Sequence, residues 1–138
     1  MTPNATATPL LRWAMQADAL VSGVSGLLLA LLPGALGAFI GFPRPEYLEL
    51  VGLGLIAYAI WPIFSARRPE VNLWAGRTAV VLNGLWVAGS IALLLEAPGQ
   101  FNTPGQWLVG IVAAVVADFA LVQYVGLRRA ARAPSAVA

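Results

Sequence analysis

Four long runs of apolar residues dominate the chain, and proline, glycine and charged residues fill the segments between them. Each run has roughly the length that an α-helix, rising about 1.5 Å per residue, needs to cross the hydrocarbon of a bilayer. The pattern predicts an all-α polytopic membrane protein whose residues 10–128 form a transmembrane four-helix bundle. The predicted helices cover about residues 10–32, 47–64, 73–95 and 107–127.

The arginines are distributed unequally between the two sides that four crossings would create. Seven fall on the side of the termini, and only Arg44 falls on the other. Short cytoplasmic loops carry an excess of basic residues, so the count predicts a multi-pass protein of the cell inner (plasma) membrane with cytoplasmic N- and C-termini. Residues 1–9 are expected to be a disordered segment and 129–138 a basic tail. The seven arginines are Arg12, Arg67, Arg68, Arg77, Arg128, Arg129 and Arg132.

The amino-acid composition excludes several kinds of metal site and catalytic site. The chain is 59% hydrophobic and 10% charged, and it contains neither cysteine nor histidine. Thiolate metal sites, iron–sulfur clusters and imidazole acid–base catalysis are therefore excluded, and we expect no metal, no cofactor and no enzymatic activity. A net charge of +2 also argues against a nucleic-acid partner. The expected partner is the lipid bilayer, and Arg67, Arg68, Arg128 and Arg129 are predicted to contact its headgroups.

The first and third apolar runs resemble each other when the chain is shifted by 65 positions. The second and fourth runs match at a shift of 58, through Leu50-Val51-Gly52 and Leu108-Val109-Gly110. These matches predict a tandem repeat of two helical hairpins with the same orientation, related by an axis along the membrane normal. The pairs at the 65-residue shift include Arg12 with Arg77, Asp18 with Asn83, Ser25 with Ser90, and Pro33-Gly34 with Pro98-Gly99.

Two carboxyl groups, Asp18 and Asp118, lie inside apolar runs rather than at their ends. Charged groups are expensive there and usually face a bundle interior or a wet cavity. Spacings of three and four place neighbouring polar residues on the same helix faces. We therefore predict an intramembrane polar cluster that is either a structural clamp or a substrate or proton site. Its members would be Asp18, Asn83, Asp118, Ser22, Ser25 and Ser90.

Aromatic residues suggest a pocket beside this cluster. Tyr58 and Trp61 lie near the end of the second run, next to Pro62, and Trp86 shares a helix face with Asn83. The alternative is that such residues anchor the helices at the membrane interface.

In size, number of spans, short basic central loop and polar residues in helices one and three, the chain resembles the small four-helix integral membrane proteins of bacteria, including the DoxX-like group. The resemblance covers the whole chain without a diagnostic motif. It implies a four-helix membrane fold, but it transfers no activity and no functional residue to this chain.

Three functional hypotheses follow. The first is a non-enzymatic accessory or scaffold bundle that forms a homo-oligomer or joins a larger membrane complex. The second is a small proton-coupled transporter that uses Asp18 and Asp118, similar to the small multidrug resistance family in having four helices and an acid in the first. That family's glutamate motif is absent here, and the arginine asymmetry disfavours an antiparallel dimer. The third is a protein that binds a lipid or quinone.

Overall fold

The chain folds into five α-helices and one short 3₁₀ turn in a computed structural model that describes residues 9–67 and 73–132. Four of the helices are long and apolar enough to cross a membrane, which confirms the predicted fold class. The elements are α1 (Pro9–Leu31), α2 (Pro33–Ile40), α3 (Pro45–Arg67), α4 (Leu73–Glu96), the 3₁₀ turn Pro98–Gln100, and α5 (Thr103–Arg132).

Two features of this architecture differ from the sequence prediction. The first connection contains the short helix α2, which begins at Pro33, where the missing N–H costs nothing, and ends at Ile40, with Gly41 as the left-handed cap at φ of 74°. Helix α5 starts at Thr103 rather than near 107 and continues to Arg132, so 129–132 are helical rather than part of a tail. The predicted N-terminal segment up to residue 8, the tail beyond 132, and Arg68 lie outside the described residues.

The long helices form two antiparallel hairpins. Helix α1 packs along α3, α4 packs along α5, and the hairpins meet mainly where α1 lies against α5. The first hairpin depends on a close crossing, since a Cβ atom added at Gly52 would lie 2.6 Å from the Gly26 carbonyl oxygen and 2.6 Å from the Ala30 nitrogen. Small residues allow membrane helices to approach this closely.

One end of the bundle carries most of the positive charge, and we call it the arginine end. It comprises the starts of α1 and α4 and the finishes of α3 and α5, with Arg12, Arg67, Arg77, Arg128, Arg129 and Arg132. Here all four helices pack around a core of Leu11, Met15, Ala75 and Leu127. The opposite end, called the loop end, carries α2 and the 3₁₀ turn.

At the loop end, Asn102 ties the two connections together. Its side-chain oxygen accepts a hydrogen bond from the Gly105 N–H at 2.8 Å, which caps the start of α5. Its side-chain amide donates to the Phe39 carbonyl oxygen at 2.9 Å, and its backbone N–H donates to the Ile40 carbonyl oxygen at 3.0 Å. The end of α2 is thereby fixed against the start of α5.

The distribution of side chains is inverted relative to a water-soluble protein. The interior holds small residues such as Ala14, Ala19 and Ala79 together with Asp18 and Asn83, while large aliphatic and aromatic side chains cover the outer faces of the helices. Apolar surface on this scale is not left open to water by soluble proteins. The bundle is built for a lipid solvent.

We expect Gly52→Ala to lower the melting temperature of the purified protein in lipid nanodiscs. The added methyl group would overlap the backbone of α1, and overpacking of this kind costs about 1–3 kcal/mol. Gly54→Ala is the matched control, because a Cβ atom at Gly54 meets no atom within 4 Å. Equal melting temperatures for the two variants would contradict the close crossing of α1 and α3.

Candidate functional site

Four polar side chains, one from each long helix, meet at a single level of the bundle. Asp18, Tyr58, Asn83 and Gln123 each lie nine or ten residues from the terminus of their helix at the arginine end. At about 1.5 Å per residue, this level is roughly 14 Å into the bundle. We call these four residues the carboxylate cluster.

The Asp18 carboxylate is the acceptor at the centre of the cluster. Its Oδ2 atom accepts hydrogen bonds from the Tyr58 hydroxyl at 2.7 Å, the Asn83 amide at 2.8 Å and the Gln123 amide at 2.8 Å. Its Oδ1 atom accepts from the Ser22 hydroxyl at 3.3 Å. The Asn83 amide also donates to Gln123 Oε1 at 3.0 Å, so the two amides are linked to each other as well.

Three members of the cluster are buried, with Asp18 1% exposed, Asn83 5% and Gln123 0%, while Tyr58 is half-buried. Every donor that the described residues supply to Asp18 is uncharged, and Asp18 itself only accepts. Neutral donors from all four long helices therefore surround this carboxyl group.

A cavity of about 370 Å³ begins at the carboxylate cluster and extends towards the loop end between the two hairpins. Ser22, Tyr58 and Asn83 belong to its lining and also bond Asp18, so they form its floor. Above them, the walls are aliphatic apart from Ser25 and Trp86. The cavity is therefore apolar with a polar floor.

The rim of the cavity lies on the flank of the bundle. Val21, Val51, Leu82 and Val112 line it and are 38–42% exposed. These residues are at least six residues from either end of their helices. For a bundle that spans a bilayer, the opening faces acyl chains rather than water.

Trp86 contributes an aromatic wall with one unused donor. It lines the cavity, and its Nε1 atom is buried without a hydrogen-bond partner among the described residues. Ser25 lies seven residues, or about two helical turns, from Asp18 towards the loop end, on the same face of α1.

The structure brings together part of the predicted polar cluster. Asp18, Asn83 and Ser22 are in contact, and Ser25 lies on the cavity wall. Ser90 is half-buried about two helical turns from Asn83, on the loop-end side, and does not line the cavity.

The prediction that Asp118 joins this cluster is wrong. Asp118 is exposed on the outer face of α5. It precedes Gln123 by five residues, which turns it about 140° around the helix axis, so the two side chains cannot face the same interior. Gln123 takes the place in the cluster that we predicted for Asp118.

The aromatic pocket is also composed differently from the prediction. Tyr58 and Trp86 line the cavity, whereas Trp61 packs against the core at the arginine end, with its ring centroid 6.5 Å from that of Tyr58. Arg67, Arg128 and Arg129 are exposed at that end, and the Arg128 guanidinium lies 5.7 Å from the centroid of the Tyr124 ring. Their contact with lipid headgroups stays a prediction.

Gln123 was missed, although a signal for it exists in the sequence. A shift of 65 positions, which pairs Asp18 with Asn83, also pairs Tyr58 with Gln123. The ends of α1 and α3, Leu31 and Arg67, are likewise 65 residues before the ends of α4 and α5. The shift of 58 chosen for the second and fourth runs concealed this pairing. The tandem repeat itself stays a prediction.

Comparison of the chain with protein-family models, curated proteins and solved structures finds no match. The carboxylate cluster and the cavity are therefore the features of this chain that bear on its function.

We expect Gln123→Leu to destabilise the bundle by about 1–3 kcal/mol, because it removes one donor from a buried charge and one acceptor from Asn83. Gln16→Leu makes the same chemical change at an exposed position of α1 and serves as the control. Thermal unfolding in nanodiscs measures both variants. A Gln123→Leu protein as stable as the Gln16→Leu protein would argue against the hydrogen-bonded cluster.

Proposed function

We propose that this chain is an intramembrane binding protein that takes a small hydrophobic molecule, such as a lipid or quinone, from the bilayer into the cavity between its two hairpins. The observation that carries the proposal is an apolar cavity of about 370 Å³ with a polar floor and a rim on the lipid-facing flank. Ligand cavities in proteins have volumes of about 300–1,000 Å³, mostly apolar walls and a few oriented polar groups.

The route of entry supports a ligand dissolved in the membrane. The rim residues Val21, Val51, Leu82 and Val112 are aliphatic and partly exposed. A molecule already in the acyl-chain region would pass between them without crossing a polar surface. Its polar group would then reach Ser22, Tyr58 and Asn83 at the floor.

The cavity distinguishes this proposal from the other two hypotheses. A scaffold bundle has no use for an interior cavity, whereas a binding protein requires one. The transporter hypothesis relied on Asp18 and Asp118 together, and Asp118 lies on the outer face of α5. We assign no reaction to the site.

For orientation, we propose that the arginine end faces the cytoplasm of a bacterial cell, with the protein in the inner membrane. Six described arginines lie at that end and Arg44 at the other, and the positive-inside rule favours this direction of insertion. The cavity then lies on the outer side of the carboxylate cluster.

We expect Gly54→Phe to abolish ligand binding by filling the cavity. Gly54 lines the cavity and has no atom within 4 Å of an added Cβ, so a larger side chain has room there without disturbing the helices. Gly84→Phe is the matched control, because Gly84 is equally open but lies outside the cavity lining. Native mass spectrometry after extraction in lipid-preserving polymer discs reports the bound small molecules.

The wild-type and Gly84→Phe proteins should carry the same bound species, and Gly54→Phe should lack it. Retention of that species by a folded Gly54→Phe protein would place the binding site elsewhere. A wild-type protein that carries no small molecule and takes up none of an added library of lipids and lipophilic compounds would refute the proposed function.

A further inference from the structure

The floor of the cavity has an electrical polarity. The hydroxyl groups of Ser22 and Tyr58 both donate their single hydrogen to Asp18. A hydroxyl that has donated its hydrogen has only lone pairs left for another partner. Towards the cavity, these two groups can therefore act only as acceptors, and such a floor favours a ligand that carries positive charge or donates hydrogen bonds.

When ionised, the Asp18 carboxyl group behind this floor adds a full negative charge. Asp18 is 1% exposed, and in surroundings of low dielectric its field is weakly screened. Ser22, Tyr58 and Asn83 each bond Asp18 and line the cavity, so only one layer of side chains separates the carboxylate from an occupant. A positive group on the floor would lie close enough to interact strongly with it.

The positively charged groups nearest to Asp18 along the helices all lie on the side away from the cavity, and Asp118, an acid, is exposed on the outer face of α5. Arg12 of α1 and Arg77 of α4 are six residues from the cluster along their helices, Arg128 of α5 is five, and Arg67 of α3 is nine, all towards the arginine end. The lining of the cavity contains no charged side chain, and Tyr58 is its one titratable residue. On the cavity side, a counter-charge for Asp18 can come only from the occupant.

The walls determine which kind of cation fits. An apolar cavity of this volume does not replace the hydration shell of a metal ion or of simple ammonium. A bulky organic cation carries its charge beneath alkyl or aryl groups and loses little hydration on entry. The rings of Tyr58 and Trp86 in the lining can also receive such a cation against their faces.

We propose that the ligand of the cavity is a lipophilic organic cation, with Asp18 as its counter-charge behind a floor of acceptor oxygens. This inference rests on the proposed function and narrows its ligand class. It makes organic cations tighter ligands than neutral compounds of the same shape.

The test compares benzyltrimethylammonium with neopentylbenzene, which has the same shape with carbon in place of nitrogen. Binding to the protein in phosphatidylcholine nanodiscs is measured by equilibrium dialysis, and partitioning into empty nanodiscs is subtracted. The wild-type protein should bind the cation at least about tenfold more tightly than the neutral compound, as expected for a nearby charge in a weakly polar site.

Asp18→Asn should remove this preference, with at least about tenfold weaker cation binding and neopentylbenzene binding changed less than about threefold. Asp118→Asn is the matched control, since it removes an equivalent charge from the exposed face of α5 and should leave both affinities unchanged. Tyr58→Phe keeps the ring but removes an oxygen atom from the floor. It should therefore weaken the binding of the cation and leave the binding of neopentylbenzene unchanged.

The outcomes separate the inference from the function on which it rests. If the wild-type protein binds neopentylbenzene as tightly as the cation and Gly54→Phe abolishes both, the binding function stands and the cation inference is overturned. If neither compound binds and no other hydrophobic molecule does, the proposed function fails with it. Should Asp18→Asn not fold, the ratio of the two wild-type affinities decides the inference alone.

Discussion

The hydrogen bonding of one buried carboxylate organises this bundle. Asp18 receives donors from α3, α4 and α5 as well as from its own helix. A charge within the hydrocarbon region is tolerated only when it is satisfied in this way, so the four helices must keep their depth and rotation about their axes. The interaction thereby specifies which helix faces point inward. Because the surrounding interior consists largely of small residues, little else in that region could impose the same specificity.

The cavity is a consequence of the same arrangement. Between the cluster and the arginine end, Leu11, Met15, Ala75 and Leu127 fill the space among the helices. On the other side of the cluster, α1 remains tightly packed on α3 through Gly26 and Gly52, while the hairpins leave a gap between them. The carboxylate cluster thus closes a packed half of the bundle and forms the floor of an open half. The same side chains therefore hold the helices together and, in the proposed function, receive the ligand.

The long helices could be predicted because the length of an apolar run can be read directly from the sequence. The site could be predicted only in part, because it depends on how each helix is rotated about its axis, and local sequence patterns do not specify that rotation. Asp18 and Asn83 were identified from their cost within apolar runs. By the same reasoning Asp118 was included wrongly, since its position on the outer face of α5 follows from tertiary packing. Gln123 was not predicted because it carries no charge, although its spacing from Tyr58 equals that of Asn83 from Asp18. Helix α2 was not predicted because its proline and two glycines are typical of a loop.

Solid-state NMR in lipid bilayers can detect the hydrogen bonds of Asp18 separately, because the chain contains only two aspartates, Asp18 and Asp118. Protein labelled with ¹³C at the aspartate carboxyl and with ¹⁵N at the asparagine and glutamine side-chain amides gives two carboxyl signals to distinguish, and Asp118→Asn assigns them. We expect strong carbon–nitrogen correlations from Asp18 to the amides of Asn83 and Gln123, and none from Asp118. An Asp18 signal without such correlations in the folded protein would mean that the carboxylate cluster does not form.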